Sequence, residues 1–156
     1  MIAAPKLKYS IFSEEDNQLF RSRINALTPV SPPLWGKMNV AQMLAHCQLP
    51  LKAALGESTA KRRLIGLLLG KIAKKRLLNA EEYSKHLPTA PTFVIADERS
   101  FDEEREKLLA LVECFAVGGK GILTNKPHSF FGKLTPDEWD NLQIKHLDHH
   151  LRQFGV

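Results

Sequence analysis

A chain of 156 residues, 44% hydrophobic and 25% charged, has the length and composition of one soluble globular domain with its own core, 1–156, and shows no low-complexity tract or internal repeat. Its net charge of +5 is local, and its longest apolar run, Leu64 to Leu69, is far too short to span a bilayer. MIAAPKLKYSIF lacks a continuous apolar h-region, so no secretory leader is expected; Cys47 and Cys114, far apart and outside any CxxC, read as reduced core thiols of a cytoplasmic protein.

Four helix starts follow from capping chemistry. Ser13 precedes Glu14, Glu15 and Asp16, an oxygen-bearing cap with acids in the first turn, and predicts a helix running to about Ala26, before the proline-rich turn Pro29 to Pro33. Asn39-Val-Ala-Gln42 opens a second helix through VAQMLAHCQLPLKAAL, which Pro50 should bend or interrupt because it frees the carbonyl of His46. The basic stretch Lys61 to Leu78 holds seven basic residues and no acidic one, and predicts a further helix despite Gly66 and Gly70. A strip of this kind can touch phosphate backbones or an anionic membrane, but it has no interleaved aromatics for base stacking. The favoured reading is a solvated helix face whose lysine and arginine stems cover apolar surface.

A polar loop follows, with extended chain expected over Thr92 to Ala96. Ser100-Phe-Asp-Glu103 reads as a full capping box, with Gly118 and Gly119 as the stop. The loop Gly118 to Leu134 carries NKPHSFFGKL, whose paired phenylalanines read either as a lid over the bundle end or as a plain anchor to the core. Thr135-Pro-Asp-Glu138 supplies a cap, a proline at the first helical position and a glutamate at the third, and predicts a last helix to about Phe154. Period-two alternation is scarce, so the chain reads as all-α, a bundle with elaborated loops.

The last helix poses the chemical question. At about 100° per residue, Trp139, Leu142, Gln143, His146, His150, Gln153 and Phe154 share one arc, and Asn141, Lys145, Asp148 and Arg152 fall on the opposite, solvent face. His146 and His150 are stacked one turn apart on the inner stripe, while His149 lies to its side. Buried imidazoles need partners, and ordinary hydrogen bonds are the common solution. The i, i+4 spacing also brings two ring nitrogens to one metal ion, and a third ligand would favour that reading. His46, at the edge of the arc of Val40, Met43, Cys47 and Leu51, either bonds a nearby carbonyl or faces that pair. His128 sits on a loop that can approach the same region; His86 reads as a surface residue.

With Trp35, NVAQMLAHC and a late HxxxH, the chain resembles the DinB/YfiT-like superfamily. PHSFFGKLTPDEW followed by KHLDHHLRQFG is similar, more narrowly, to a bacterial family within it, the domain of unknown function 1569 family, over roughly Phe20 to the C-terminus. The resemblance implies a four-helix bundle of up-down-down-up type with an extra short helix and long loops. It implies a divalent metal held by His46, His146 and His150, with His149 as the adjacent non-ligand histidine and Gln153 matching a glutamine three residues after the last ligand. Leu151 stands where many members carry arginine directly after that ligand, and Pro50 is unexpected in such a helix. Gln42, Gln143, Gln153, His149 and His128 are the candidates to orient the rings or line the pocket. Nickel, zinc, iron and manganese all suit imidazole donors.

Two readings of function follow. In the leading one the protein is a metal-dependent enzyme, a thiol-dependent transferase or a metal-assisted hydrolase, acting on a small molecule or a low-molecular-weight thiol. The lack of an inward Asp or Glu tells against the hydrolase, since Asp148 turns to solvent. In the other the protein is a non-catalytic binding module, its histidines structural and Lys61 to Arg76 contacting membrane or nucleic acid. The resemblance allows a homodimer, although no exposed apolar stripe in the sequence calls for one.

Overall fold

In the computed structural model, which describes residues 9–58 and 64–156, the described residues form α1 (Glu14–Ala26), α2 (Val40–Ala54), α3 (Leu64–Asn79), α4 (Phe101–Gly118) and α5 (Pro136–Gln153), with short 3-10 turns at Pro91–Phe93 and Gly119–Ile122. Among these residues there is no strand, only an isolated bridge between His128 and Gly132. Lys61, Arg62 and Arg63, at the head of the basic stretch, lie outside the described residues, as does the start of MIAAPKLKYSIF.

The capping residues act largely as the sequence suggests. Ser13 accepts from the Asp16 N–H, and complete capping boxes form at Asn39/Gln42 and Thr135/Glu138. Ser100 departs from expectation. It is the N-cap of α4, but its side chain makes no capping bond, and Glu103 points to Lys107 instead. That helix start rests on the Ser100 carbonyl, which accepts from the Glu104 N–H, and on the acids Asp102, Glu103 and Glu104 at the positive end of the helix dipole. The stretch Thr92 to Ala96 is extended only in part: Thr92 and Phe93 belong to the 3-10 turn, and the extended backbone begins at Val94. Pro50 does not interrupt α2, which continues to Ala54.

Four helices share the core. α2 packs against α4 and α5, and α1 against α4 and α5. Phe20 and Ile24 of α1, Met43, Leu44 and Leu51 of α2, Leu108, Val112 and Phe115 of α4, and Leu147 and Leu151 of α5 are all essentially inaccessible. The contact pattern is that of a helical bundle. Cys47 lies in this core and Cys114 is partly buried, both as free thiols. The segment before α1 is stitched in by buried polar groups. Asp140 accepts from Ser10 Oγ at 2.6 Å and the Ile11 N–H at 2.8 Å, and Asn17 donates to the Ile11 and Val112 carbonyls.

The outer face of α5 differs from the helical-wheel expectation. Asn141 is buried, and Lys145 and Asp148 are only partly exposed, because α3 and the chain after it lie across the first two and Arg23 of α1 reaches the third. Lys145 Nζ donates to the carbonyls of Leu77, Leu78 and Ala80 at 3.3, 2.8 and 2.5 Å. It thereby caps the orphan acceptors at the C-terminal end of α3, where a cation also suits the dipole. Asp148 bridges Arg23 at 2.8 Å and Arg152 at 3.0 Å, and Arg152 reaches Glu82. A wheel drawn for one helix identifies its most apolar arc; it says nothing about a neighbour that covers the polar one with hydrogen-bonding partners.

Gly66 and Gly70 give α3 its inner face. A Cβ on Gly66 would lie 3.0 Å from the Phe130 carbonyl oxygen, and one on Gly70 would collide with the same atom. The glycines let the helix sit directly on the backbone of the loop that carries Phe130 and Phe131. That loop is anchored from the other side by Phe131 stacked on His128 and by His128 against Trp139. Replacing Lys145 with methionine should strip the Nζ donor from the Leu77 and Ala80 carbonyls and leave that of Leu78 only the 3.5 Å bond from Asn141, while keeping the packing stem. The expected loss is about 1–2 kcal/mol of local stability, confined to α3. Amide hydrogen exchange should quicken across Gly66 to Asn79 and stay slow in α2 and α4.

Candidate metal centre

The three histidines on two helices do meet. One ring nitrogen each from His46, His146 and His150 lies within 4.8 Å of the other two, a group that could hold a metal ion. Nε2 of His46 and Nε2 of His146 are 3.0 Å apart. His46 and His150 are buried, and His146 keeps part of its surface exposed. The local reason is helical: residues four apart on α5 stack on one face, and α2 packs against that face.

Two of the rings are oriented by the chain. His46 Nδ1 lies 2.8 Å from the Phe93 carbonyl oxygen, which can only accept, so the proton sits on Nδ1 and the Nε2 lone pair faces the cluster. His150 Nδ1 lies 2.8 Å from Gln153 Oε1. The amide of Gln153 is itself fixed, because its Nε2 donates to the Trp35 carbonyl at 2.6 Å. Oε1 must therefore face His150 as acceptor, which again puts the proton on Nδ1 and leaves Nε2 free. The loop holding Gln153 clamps it twice, since the Leu34 N–H also donates to its backbone carbonyl at 2.7 Å. Gly36 makes room for this clamp: its φ is +84°, and a Cβ there would stand 2.5 Å from Gln153 Nε2.

Burial keeps the cluster uncharged. Desolvation lowers the pKa of His46, against the opposing pull of the Phe93 carbonyl. It holds His146 well below the usual histidine value, and the neighbouring imidazoles of His150, His46 and His149 push in the same direction. His150 is brought down to about 3, by desolvation first and then by His46. At neutral pH all three rings are neutral, the form that binds metals.

The remaining candidates lie elsewhere. His149 is buried beside the cluster but packs edge-on against Trp35 and near Tyr83, on the side of the stripe where the wheel put it. Gln42 is committed to the α2 capping box and to the Asp97 carbonyl, so its polar atoms serve the helix start. Gln143 donates to the Pro50 carbonyl at 3.1 Å. His128 stands against Trp139, seven residues before His146 and so about 10 Å down the helix. Its Nδ1 accepts from the Phe130 and Phe131 N–H groups, each at 3.1 Å, which makes it the knot of its own loop. His86 is exposed, with a φ of 62°. Sequence reasoning missed the Phe93 and Trp35 carbonyls, since a backbone acceptor carries no residue-type signal.

A model of the family described as "Protein of unknown function (DUF1569)" matches residues 6–155, and the chain belongs to that family. No curated protein and no solved structure matches.

The clamp gives a direct expectation. Gly36→Ala should displace the Gln153 amide and leave His150 without its fixed acceptor. Imidazole ¹⁵N spectra should then change from a single Nδ1–H tautomer at His150 to a mixture, with His46 unaffected. His128 supplies a pH dependence. Burial lowers its pKa to about 4, below the ~6.5 of an unfolded histidine. Below that value the unfolded chain takes up more protons, so the stability His128 contributes is complete above about pH 6.5 and is lost as pH falls towards about 4. Denaturation midpoints for wild type and His128→Gln should diverge at neutral pH and converge through that window.

Proposed function

We propose that this protein binds one divalent transition metal through the Nε2 atoms of His46, His146 and His150 and uses it as a thiol-dependent transferase. The observation that carries the reading is the pair of fixed tautomers, in which the Phe93 carbonyl and the Gln153 amide each hold the proton on the outer ring nitrogen. A hydrogen-bonded histidine pair needs one such lone pair; two buried lone pairs aimed at a third imidazole make a donor set. Three neutral nitrogens suit zinc, nickel, iron or manganese alike. A metal so held keeps positions for outside ligands and would lower the pKa of a bound thiol or water.

The chain's own residues favour thiol activation over hydrolysis. Attack by water gains from a carboxylate base beside the metal, and among the described residues the buried acids are engaged elsewhere. Asp140 serves Ser10 and Ile11, and Glu104 accepts from Gln48 at 2.6 Å. Asp148 is paired with two arginines. A thiol brings its own nucleophile, and the metal alone suffices to deprotonate it. The likeness of the sequence to DinB/YfiT-like proteins supports the same reading.

Protein purified without an affinity tag should carry about one divalent ion per chain by elemental analysis, and alanine at His46, His146 or His150 should abolish binding. Gln153→Ala should weaken affinity roughly 10- to 100-fold, the usual cost of losing a ring's outer partner. Cobalt-substituted protein mixed with a low-molecular-weight thiol should develop a sulfur-to-metal charge-transfer band. Stoichiometric metal without that band would remove the thiol chemistry; no metal at all would remove the centre.

A further inference from the structure

α3 presents the wrong face to water for a solvated helix. Its inner side, carrying Gly66 and Gly70, rests on the Phe130 backbone. Its outer side carries Leu68, Leu69 and Ile72, which are 78%, 50% and 69% exposed. On the helix these three are bordered by Lys71, Lys75 and Arg76, all exposed, and α3 contains no acidic residue. The acid that approaches it, Glu138, is paired with Lys74 on the inner side at 2.9 Å. Branched aliphatic side chains therefore stand exposed among the lysines and the arginine, outside the core.

We propose that the outer face of α3 is a docking surface for an anionic lipid bilayer, with Leu68, Leu69 and Ile72 entering the headgroup boundary and Lys71, Lys75 and Arg76 pairing with lipid phosphates. Charge selects this occupant. A second copy of the chain would bring two uniformly basic faces together, which disfavours a symmetric pair. Nucleic acid would match the charge but leave the aliphatic side chains without a partner, and the face carries no aromatic for base stacking. Of these three, a membrane surface satisfies both halves, apolar area below and negative potential above. No helix among the described residues is long and apolar enough to cross the bilayer, so the contact is peripheral. Lys145 clasps the C-terminal end of α3, so a docked helix holds α5, and with it His146 and His150, close to the membrane.

The full-length protein is sedimented with vesicles of phosphatidylcholine alone and with vesicles containing about a third phosphatidylserine. Binding should appear only on the anionic vesicles and fall steeply as salt is raised. Leu68→Glu and Ile72→Glu test the apolar half, and Lys71→Gln and Lys75→Gln the charged half. Each lysine neutralised should lower affinity about fivefold, equivalent to about 1 kcal/mol. All four positions are exposed, so thermal melts and metal content should match wild type, which separates this surface from the histidine centre. Three results would overturn the proposal: no vesicle binding at low salt, equal binding by all variants, or binding to an RNA duplex in place of lipid. A soluble dimer dissolved by Ile72→Glu, without lipid binding, would assign the face to a second copy instead.

Discussion

Three imidazoles drawn within 4.8 Å of one another in a protein interior repel each other once protonated, and each also resists being charged away from water. That constraint shapes the surroundings of the cluster. Burial lowers the pKa of every member, and two backbone carbonyls, reached directly from His46 and through Gln153 from His150, decide which nitrogen of each ring bears the proton. Their positions come from short irregular segments, Leu34 to Gly36 and the 3-10 turn at Pro91–Phe93, laid over the bundle end. Helices bring the rings together. Loops aim them.

This division explains what could be read in the sequence. Capping boxes at Asn39 and Thr135 are local signals and fixed the starts of α2 and α5 correctly; at Ser100 the same residue pattern was present, but Glu103 found a cation one turn along. The inward stripe of α5 was legible because His146 and His150 share the arc of Trp139 and Leu142 with a 3.6-residue period. The third histidine was ambiguous from residues alone, since His46 lies at the edge of its arc, and it was the family resemblance that joined it to the pair. Nothing local announces that Phe93 will turn its carbonyl towards the His46 ring, 47 residues away, or Trp35 its carbonyl towards the Gln153 amide, 118 residues away. Such contacts exist only once the chain is folded.

The misreadings share a cause as well. Lys145, Asp148 and Asn141 look like a solvent face because lysine, aspartate and asparagine are polar, yet each finds partners in α3, α1 or the chain between α3 and α4. A polar residue predicts a hydrogen bond more firmly than it predicts water. The glycines of α3 mislead in the opposite sense. They weaken the helix by propensity, about 1 kcal/mol each relative to alanine, but they are what allows it to lie against the Phe130 backbone.

That close approach settles how α3 is turned. With glycines set four residues apart on the loop, the side chains of Leu68 and Ile72, also four apart, must fall on the far side of the helix. The apolar outer face is thus a geometric consequence of how the inner face packs, and filling either glycine with a side chain would push the helix off the Phe130–Phe131 loop. The same loop is knotted by His128 against Trp139, near the start of the helix whose later turns carry His146 and His150. The outward patch and the inward cluster are therefore attached to one helix, α5, on adjoining faces. Lys145 capping α3 and His146 facing α2 are neighbours in sequence, about 100° apart around that helix.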